Sequence, residues 1–313
     1  MPTLRMDGGP PNPSRVRPPA GRIGEILRAA GGRCWTASVL PSIAGATLPF
    51  WLQPPGFSFN LPGAAVFAAA AVLLHAGFSL LSAYFRETAA ARRQRCDFLL
   101  WTGVCTASAC AAGVVLNRAV RHSGDAHPAL FPVFGICALI AGILFAAPPA
   151  ALGRRIGGEF AAAVGLGMLP VLGAYIVQAG GLTRTVYLAS LPMAAATGLW
   201  VWVEELAAWR EDEAAGRRTT VLHFGPGRSG RYGVPAIALV WAAAWAAAVA
   251  SKSVSPLALA ALPSAGLLWQ IAAVFRAEHI SAQAAGRARF CAFALHFATC
   301  AIIAVSSLLT PFG

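Results

Sequence analysis

Two carboxylates and a set of arginines are the residues of this chain whose types and spacing can do chemistry. Glu205 and Asp212 stand seven positions apart in EELAAWREDEAAGRRT (Glu204–Thr219), and two helical turns bring such a pair to one face. Carboxylates on one helix face suit magnesium, a hard cation that takes oxygen ligands and is commonly held through substrate phosphates as well. The pair is therefore expected to hold at most one magnesium ion. The other reading is a solvated, charge-laced helix end, with Arg210, Arg217 and Arg218 in surface pairs worth under about 1 kcal/mol each. Arg86, in SAYFRE (Ser82–Glu87), has a guanidinium that can grip phosphate bidentately. It can equally anchor its loop on the basic side of a membrane beside Arg92, Arg93 and Arg95. His75 lies in an apolar run, suited to an interhelical hydrogen bond or to general-base work.

The elements that must position these groups are membrane helices. The 313 residues are 57% hydrophobic and 12% charged, with a mean hydropathy of +0.63, whereas a soluble domain carries about 25% charged residues. A helix needs about 20 apolar residues to cross a bilayer core. Nine such stretches are expected: Cys34–Leu52, Pro62–Phe85, Phe98–Leu116, Ala129–Ala147, Phe160–Ala179, Val186–Leu206, Val234–Ala250, Pro256–Phe275 and Phe290–Leu309. The fold class is all-α integral membrane, with nine transmembrane helices in one domain over residues 21–313. Met1–Ala20, rich in Pro, Gly and Arg, is expected to be a disordered cytoplasmic tail. It lacks the apolar region of a cleavable signal.

The net charge of +12 does not point to nucleic acid. With the N-terminus inside, only Arg118, Arg121, Arg184 and Lys252 of the 24 basic residues fall outside, the bias that orients multispanning proteins. The chain is thus expected to be a multi-pass protein of the inner (plasma) membrane, N-terminus cytoplasmic and C-terminus outside. The cysteines show no Cys-x-x-Cys pair and are expected to be buried small hydrophobes.

Several segments resemble the UbiA superfamily of intramembrane prenyltransferases, most closely its 1,4-dihydroxy-2-naphthoate polyprenyltransferase branch. GAYIVQAG (Gly173–Gly180), LASLP (Leu188–Pro192) and the basic turn Ala215–Thr219 are similar to that branch's G-T-Y-Y-V-Q-T-G, L-A-S-L-P and A-A-G-K-R-T. RCWTASVLPSIAG (Arg33–Gly45), HAGFSLLSAYFRE (His75–Glu87), FAAPPAALG (Phe145–Gly153) and Gly158–Glu159 resemble further segments in the same order. The resemblance implies a UbiA-type bundle and transfer of a polyprenyl group from its diphosphate to an aromatic acceptor, in menaquinone or related prenyl-lipid biosynthesis. It also implies that Tyr84, His75, Arg86, Tyr175, Gln178, Arg217 and Arg218 contact a polyprenyl diphosphate or quinone-like lipid.

The chain departs from the family where metal is gripped. The family's N-D-x-x-D falls on Ser82, Ala83 and Arg86, and the first Asp of its D-x-x-x-D falls on Ala208, leaving Asp212. Phe145 stands in place of a family Tyr. Two functions remain open on the sequence: a prenyltransferase, or a non-catalytic relative that binds prenyl lipid or quinone or serves as partner subunit of an active enzyme.

Overall fold

Helix boundaries follow local chemistry along the chain. The computed structural model describes residues 22–31, 35–54, 56–86, 92–122, 129–276 and 281–309; the expected tail Met1–Ala20 lies outside them. A short helix α1 (Arg22–Ala29) precedes α2 (Thr36–Leu52), α3 (Leu61–Tyr84), α4 (Arg92–His122) and α5 (Leu130–Ala146). Then come α6 (Gly158–Ala179), α7 (Arg184–Ala214), the short α8 (Thr220–Phe224), α9 (Pro226–Ala250), α10 (Pro256–Arg276) and α11 (Ala282–Leu309). Asn60 starts α3 by accepting a hydrogen bond from the Gly63 N–H at 2.8 Å, with Pro62 in the first turn, where its missing N–H costs nothing. Thr219 and Ser255 cap α8 and α10 in the same way.

Among the described residues, seven helices are long and apolar enough to cross a membrane, and two more apolar helices, α2 and α5, have 17 residues each. These nine correspond one to one with the nine expected spans. The sequence reading placed several ends too early, because polar first and last turns such as Glu204–Ala214 stay helical beyond the apolar stretch.

The chain forms an all-helical membrane bundle around α7. Of the most apolar stretch of α7, 67% is buried, against 11% for α4, so α7 is central and α4 peripheral. Leu48, Tyr175, Met193, Leu199, Ile271, Leu295 and Ile303 fill the core between α2, α6, α7, α10 and α11. Close helix crossings rest on small residues, as is usual in membranes. A Cβ on Gly45 of α2 would lie 2.2 Å from the Val171 carbonyl oxygen of α6, so glycine is required there. Polar groups inside this core are satisfied locally: buried Thr197 donates to the Met193 carbonyl at 2.8 Å and sits 3.2 Å from the His296 Nδ1. On the periphery, Leu99, Leu100, Ile136, Ile140, Leu239 and Val240 are exposed, as a lipid-facing surface demands. The described cysteines are free; Cys291 and Cys300 are buried as expected, whereas Cys96, Cys110 and Cys137 are exposed.

Candidate functional site

Four helices, α3 to α6, enclose a cavity of about 660 Å³, within the size range of small-molecule sites. Its walls are mostly apolar, with Phe67, Leu74, Phe78, Phe134, Leu139, Phe145 and Leu166 among them. Its polar groups are ordered along α3. His75, Ser79, Ser82 and Arg86 all line the cavity, and their spacing of four, three and four is the repeat of one helix face. Phe67 to Ser82 covers about 22 Å of helix at the standard rise. The chamber therefore grades from an apolar end to a cationic end, where Arg86 and Arg28 of α1 line it. No carboxylate is among the described residues of its lining.

Two turns and the last turn of α3 meet at the cationic end. From the turn after α5, Arg154 donates to the carbonyl oxygens of Ser82 at 2.6 Å and Phe85 at 3.4 Å. These carbonyls close α3, whose C-terminus carries partial negative charge and favours a cation. The turn after α7 joins in: the Arg218 N–H donates to the Arg154 carbonyl at 3.0 Å, and Arg155 and Arg218 form a parallel bridge. Burial, and then the neighbouring Arg86 and Arg217 charges, hold the Arg154 pKa below its usual value, since each disfavours one more positive charge. The buried Arg154 Nε has no hydrogen-bond partner.

The acids gather beside this mouth, on α6 and α7. Glu159, Glu205 and Asp212 are all buried. Thr220 donates to Glu159 Oε2 at 2.9 Å while accepting from the Gly157 N–H at 2.9 Å. Glu205 lies close enough to Glu159 and Asp212 to feel both of their charges. Asp212 is ion-paired with Arg217, whose backbone N–H also donates to the Asp212 carbonyl at 2.9 Å. This donor set does not fit the expected magnesium ion at Glu205 and Asp212. Arg217 already neutralises Asp212. Among the described residues no three His, Cys, Asp or Glu side chains converge as metal ligands. One oxygen each of Glu159 and Glu205 is buried without a partner.

The remaining expected site residues divide clearly. His75 and Arg86 line the chamber, with the His75 Nδ1 2.9 Å from the Ser38 Oγ. Tyr84 does not line it; its ring lies under the Arg95 guanidinium at 4.6 Å and packs edge-on against Phe85. Tyr175 is buried in the main core, and Gln178 is bonded to the Asn60 backbone, so neither lines the chamber. Arg217 and Arg218 stand at the mouth rather than in the lining. Ser82 lines the chamber, but Ala83 is buried against Leu80 and Phe98 on another face of α3. Glu87 lies outside the described residues. Sequence reasoning assigned Arg154 and Arg28 to topology alone and gave Glu159 no role. A lone acid opening an apolar span, and an Arg pair a few residues after a Pro-Pro turn, were the available signals.

No protein-family profile matches the chain, and no curated protein matches it. Solved structures do. The structure of a digeranylgeranylglyceryl phosphate synthase is similar at a TM-score of 0.64 and 11% identity, covering 93% of this chain and 100% of that one. A UbiA homologue from Archaeoglobus fulgidus, bound to DMAPP and Mg2+, gives 0.60 and 16%, covering 90% and 99%. A UbiA homologue from Aeropyrum pernix K1 without ligand gives 0.59 and 18%, covering 88% and 98%. Over nearly the whole of its described length, this chain has the UbiA prenyltransferase fold.

Proposed function

We propose that this chain is a prenyltransferase-like membrane protein that holds a polyprenyl diphosphate in the chamber beside α3. The observation that carries this reading is the grading of one cavity from an apolar end to the Arg86 end. A prenyl chain would lie along Phe67, Leu74 and Phe78, with its diphosphate against Arg86 and Arg28. Similar proteins of this fold are described as bound to GPP or DMAPP with Mg2+, which supports the substrate class. The motifs Gly173–Gly180 and Leu188–Pro192 favour an aromatic acceptor of the dihydroxynaphthoate type, and hence quinone biosynthesis. In that reaction the allylic carbon–oxygen bond ionises, and the arginines offset the charge on the departing diphosphate. The protein would sit in the plasma membrane with the basic mouth cytoplasmic, by the positive-inside bias.

A second reading has its own observation. By the resemblance, positions at which the family grips metal carry Ser82, Ala83, Arg86 and Ala208, and a binder of prenyl lipid or quinone, or a partner subunit, needs no metal grip. One experiment separates the two. The purified protein in detergent is incubated with a polyprenyl diphosphate series, magnesium and candidate aromatic acids, and followed by mass spectrometry. A prenylated product with released diphosphate supports the enzyme; stoichiometric binding without release supports the binder.

A further inference from the structure

We infer that the basic mouth is a metal-free seat for the phosphate head of a prenyl lipid, built from the Arg86 and Arg154 guanidiniums with Arg217 beside them. The inference rests on the reading of the chamber as a prenyl-lipid site and adds how the head is held. The family resemblance puts the first metal grip on the last turn of α3. In this chain that turn is occupied by cation chemistry throughout. Arg86 lines the chamber at its end, and Arg154 is fastened to the Ser82 and Phe85 carbonyls of the same turn.

Three properties make this an anion seat rather than a chance collection of loop arginines. First, Arg154 is fixed: two of its nitrogens are bound to carbonyls, and its loop is tied to the α7–α8 turn by the Arg218 N–H and the Arg155–Arg218 bridge. A guanidinium so ordered loses little rotamer freedom when a ligand arrives. Second, a guanidinium has five N–H donors, and the Arg154 Nε is buried with no partner. A buried donor left unsatisfied is costly, and a phosphate oxygen would relieve that cost. Third, Asp212 is already taken, since it holds Arg217. The Arg86 charge bears on Arg154 as a like charge, which a polyanion offsets and a magnesium ion would aggravate. The guanidiniums stand where an ion's charge would otherwise be required.

The test uses the full chain in nanodiscs, with geranylgeranyl diphosphate and geranylgeraniol as probes. Expected is diphosphate binding unchanged by excess EDTA and weakened about tenfold or more in Arg86→Ala, the loss expected of a charged hydrogen bond. Arg154→Lys keeps a positive charge on the α3 carbonyls, and so the fold, while removing the fork; it is expected to weaken the diphosphate similarly. Geranylgeraniol, which lacks the head, is expected to bind both variants as it binds the parent. Repeating the measurement with inorganic diphosphate as competitor, and in phosphatidylglycerol against phosphatidylcholine discs, identifies the source of the head: competition by either anion supports the seat. Loss of binding in EDTA overturns the inference, and so does unchanged diphosphate affinity in both variants. If geranylgeraniol binds as tightly as the diphosphate, the chamber reading stands and the seat fails. If neither probe binds, the chamber reading itself fails and the seat with it.

Discussion

Gln178 and Asn60 exchange two hydrogen bonds: the Asn60 N–H donates to Gln178 Oε1 at 2.9 Å, and Gln178 Nε2 donates to the Asn60 carbonyl at 3.0 Å. A side-chain amide thereby completes the backbone of the residue that caps α3, fixing the start of α3 against the end of α6. The resemblance implied a lipid contact for Gln178, and the structure gives it this clamp. Gln178→Ala is expected to lower stability by about 1–3 kcal/mol, since the Asn60 N–H loses its acceptor in a partly buried place, while the Asn60 carbonyl keeps the Ala64 N–H. Thermal unfolding in detergent measures the loss. Geranylgeranyl diphosphate affinity measured below the transition should stay at the parent value; a selective loss of affinity without loss of stability would return Gln178 to the binding site.

Asp212→Asn discriminates between two roles for the same carboxylate. If Asp212 held magnesium, the change would abolish magnesium-dependent diphosphate binding. The ion pair with Arg217 leads to the opposite expectation. Freed of its carboxylate, Arg217 adds positive charge at the mouth, so diphosphate binding should tighten and remain insensitive to chelator. Titration of parent and variant, each with magnesium and with EDTA, reads this directly.

Topology is open to a separate check. Reporter fusions at Arg92, Arg155, Arg217 and Arg287 are expected to report the cytoplasm, and fusions at Arg121, Lys252 and the C-terminus the outside. With seven long spans and the two 17-residue helices all crossing, the two termini lie on opposite sides. A cytoplasmic C-terminal tag would mean that one of α2 and α5, the two short helices, does not cross.

The spans and the fold class were legible because apolar runs of membrane length leave few alternatives, and the order of short motifs narrowed the bundle further. The site was legible only in part. Arg86 and His75 share a face of α3, and the four–three–four spacing of His75, Ser79, Ser82 and Arg86 is present in the sequence. Tyr84 and Ala83 were attached to the site by alignment, but an α-helix turns each residue about 100° from the last. Tyr84 therefore meets Arg95, and Ala83 meets Phe98. Arg154 could not be found this way at all. Its role comes from a loop–helix contact with Ser82, about 70 residues away in sequence, and no local pattern encodes such a contact. The closeness of Glu205 to Glu159 was hidden for the same reason, since α6 and α7 meet only in the folded bundle.

Conversion of the mouth to a metal site is the strongest test of how it works now, and the geometry of α3 says which residues to change. Restoring acids by alignment alone would place Asp at 83, where Ala83 is buried against Leu80 and Phe98. An unpaired carboxylate there costs several kcal/mol and threatens the fold. Ser82 and Arg86 instead both line the chamber and stand four apart, so their side chains share a face as metal-gripping carboxylates must. The double variant Ser82→Asp/Arg86→Asp removes one fixed positive charge and adds two negative ones beside Arg154. Bare diphosphate should then be repelled, and its affinity in EDTA should fall by at least about a hundredfold, beyond the loss of one charged hydrogen bond. Added magnesium should restore much of that affinity by bridging the new carboxylates and the phosphate oxygens. Isothermal titration in the two buffers gives both numbers, and the parent protein, which should show no such gap, is the control. A folded double variant that binds diphosphate equally well with and without magnesium would mean that the head does not reach the last turn of α3.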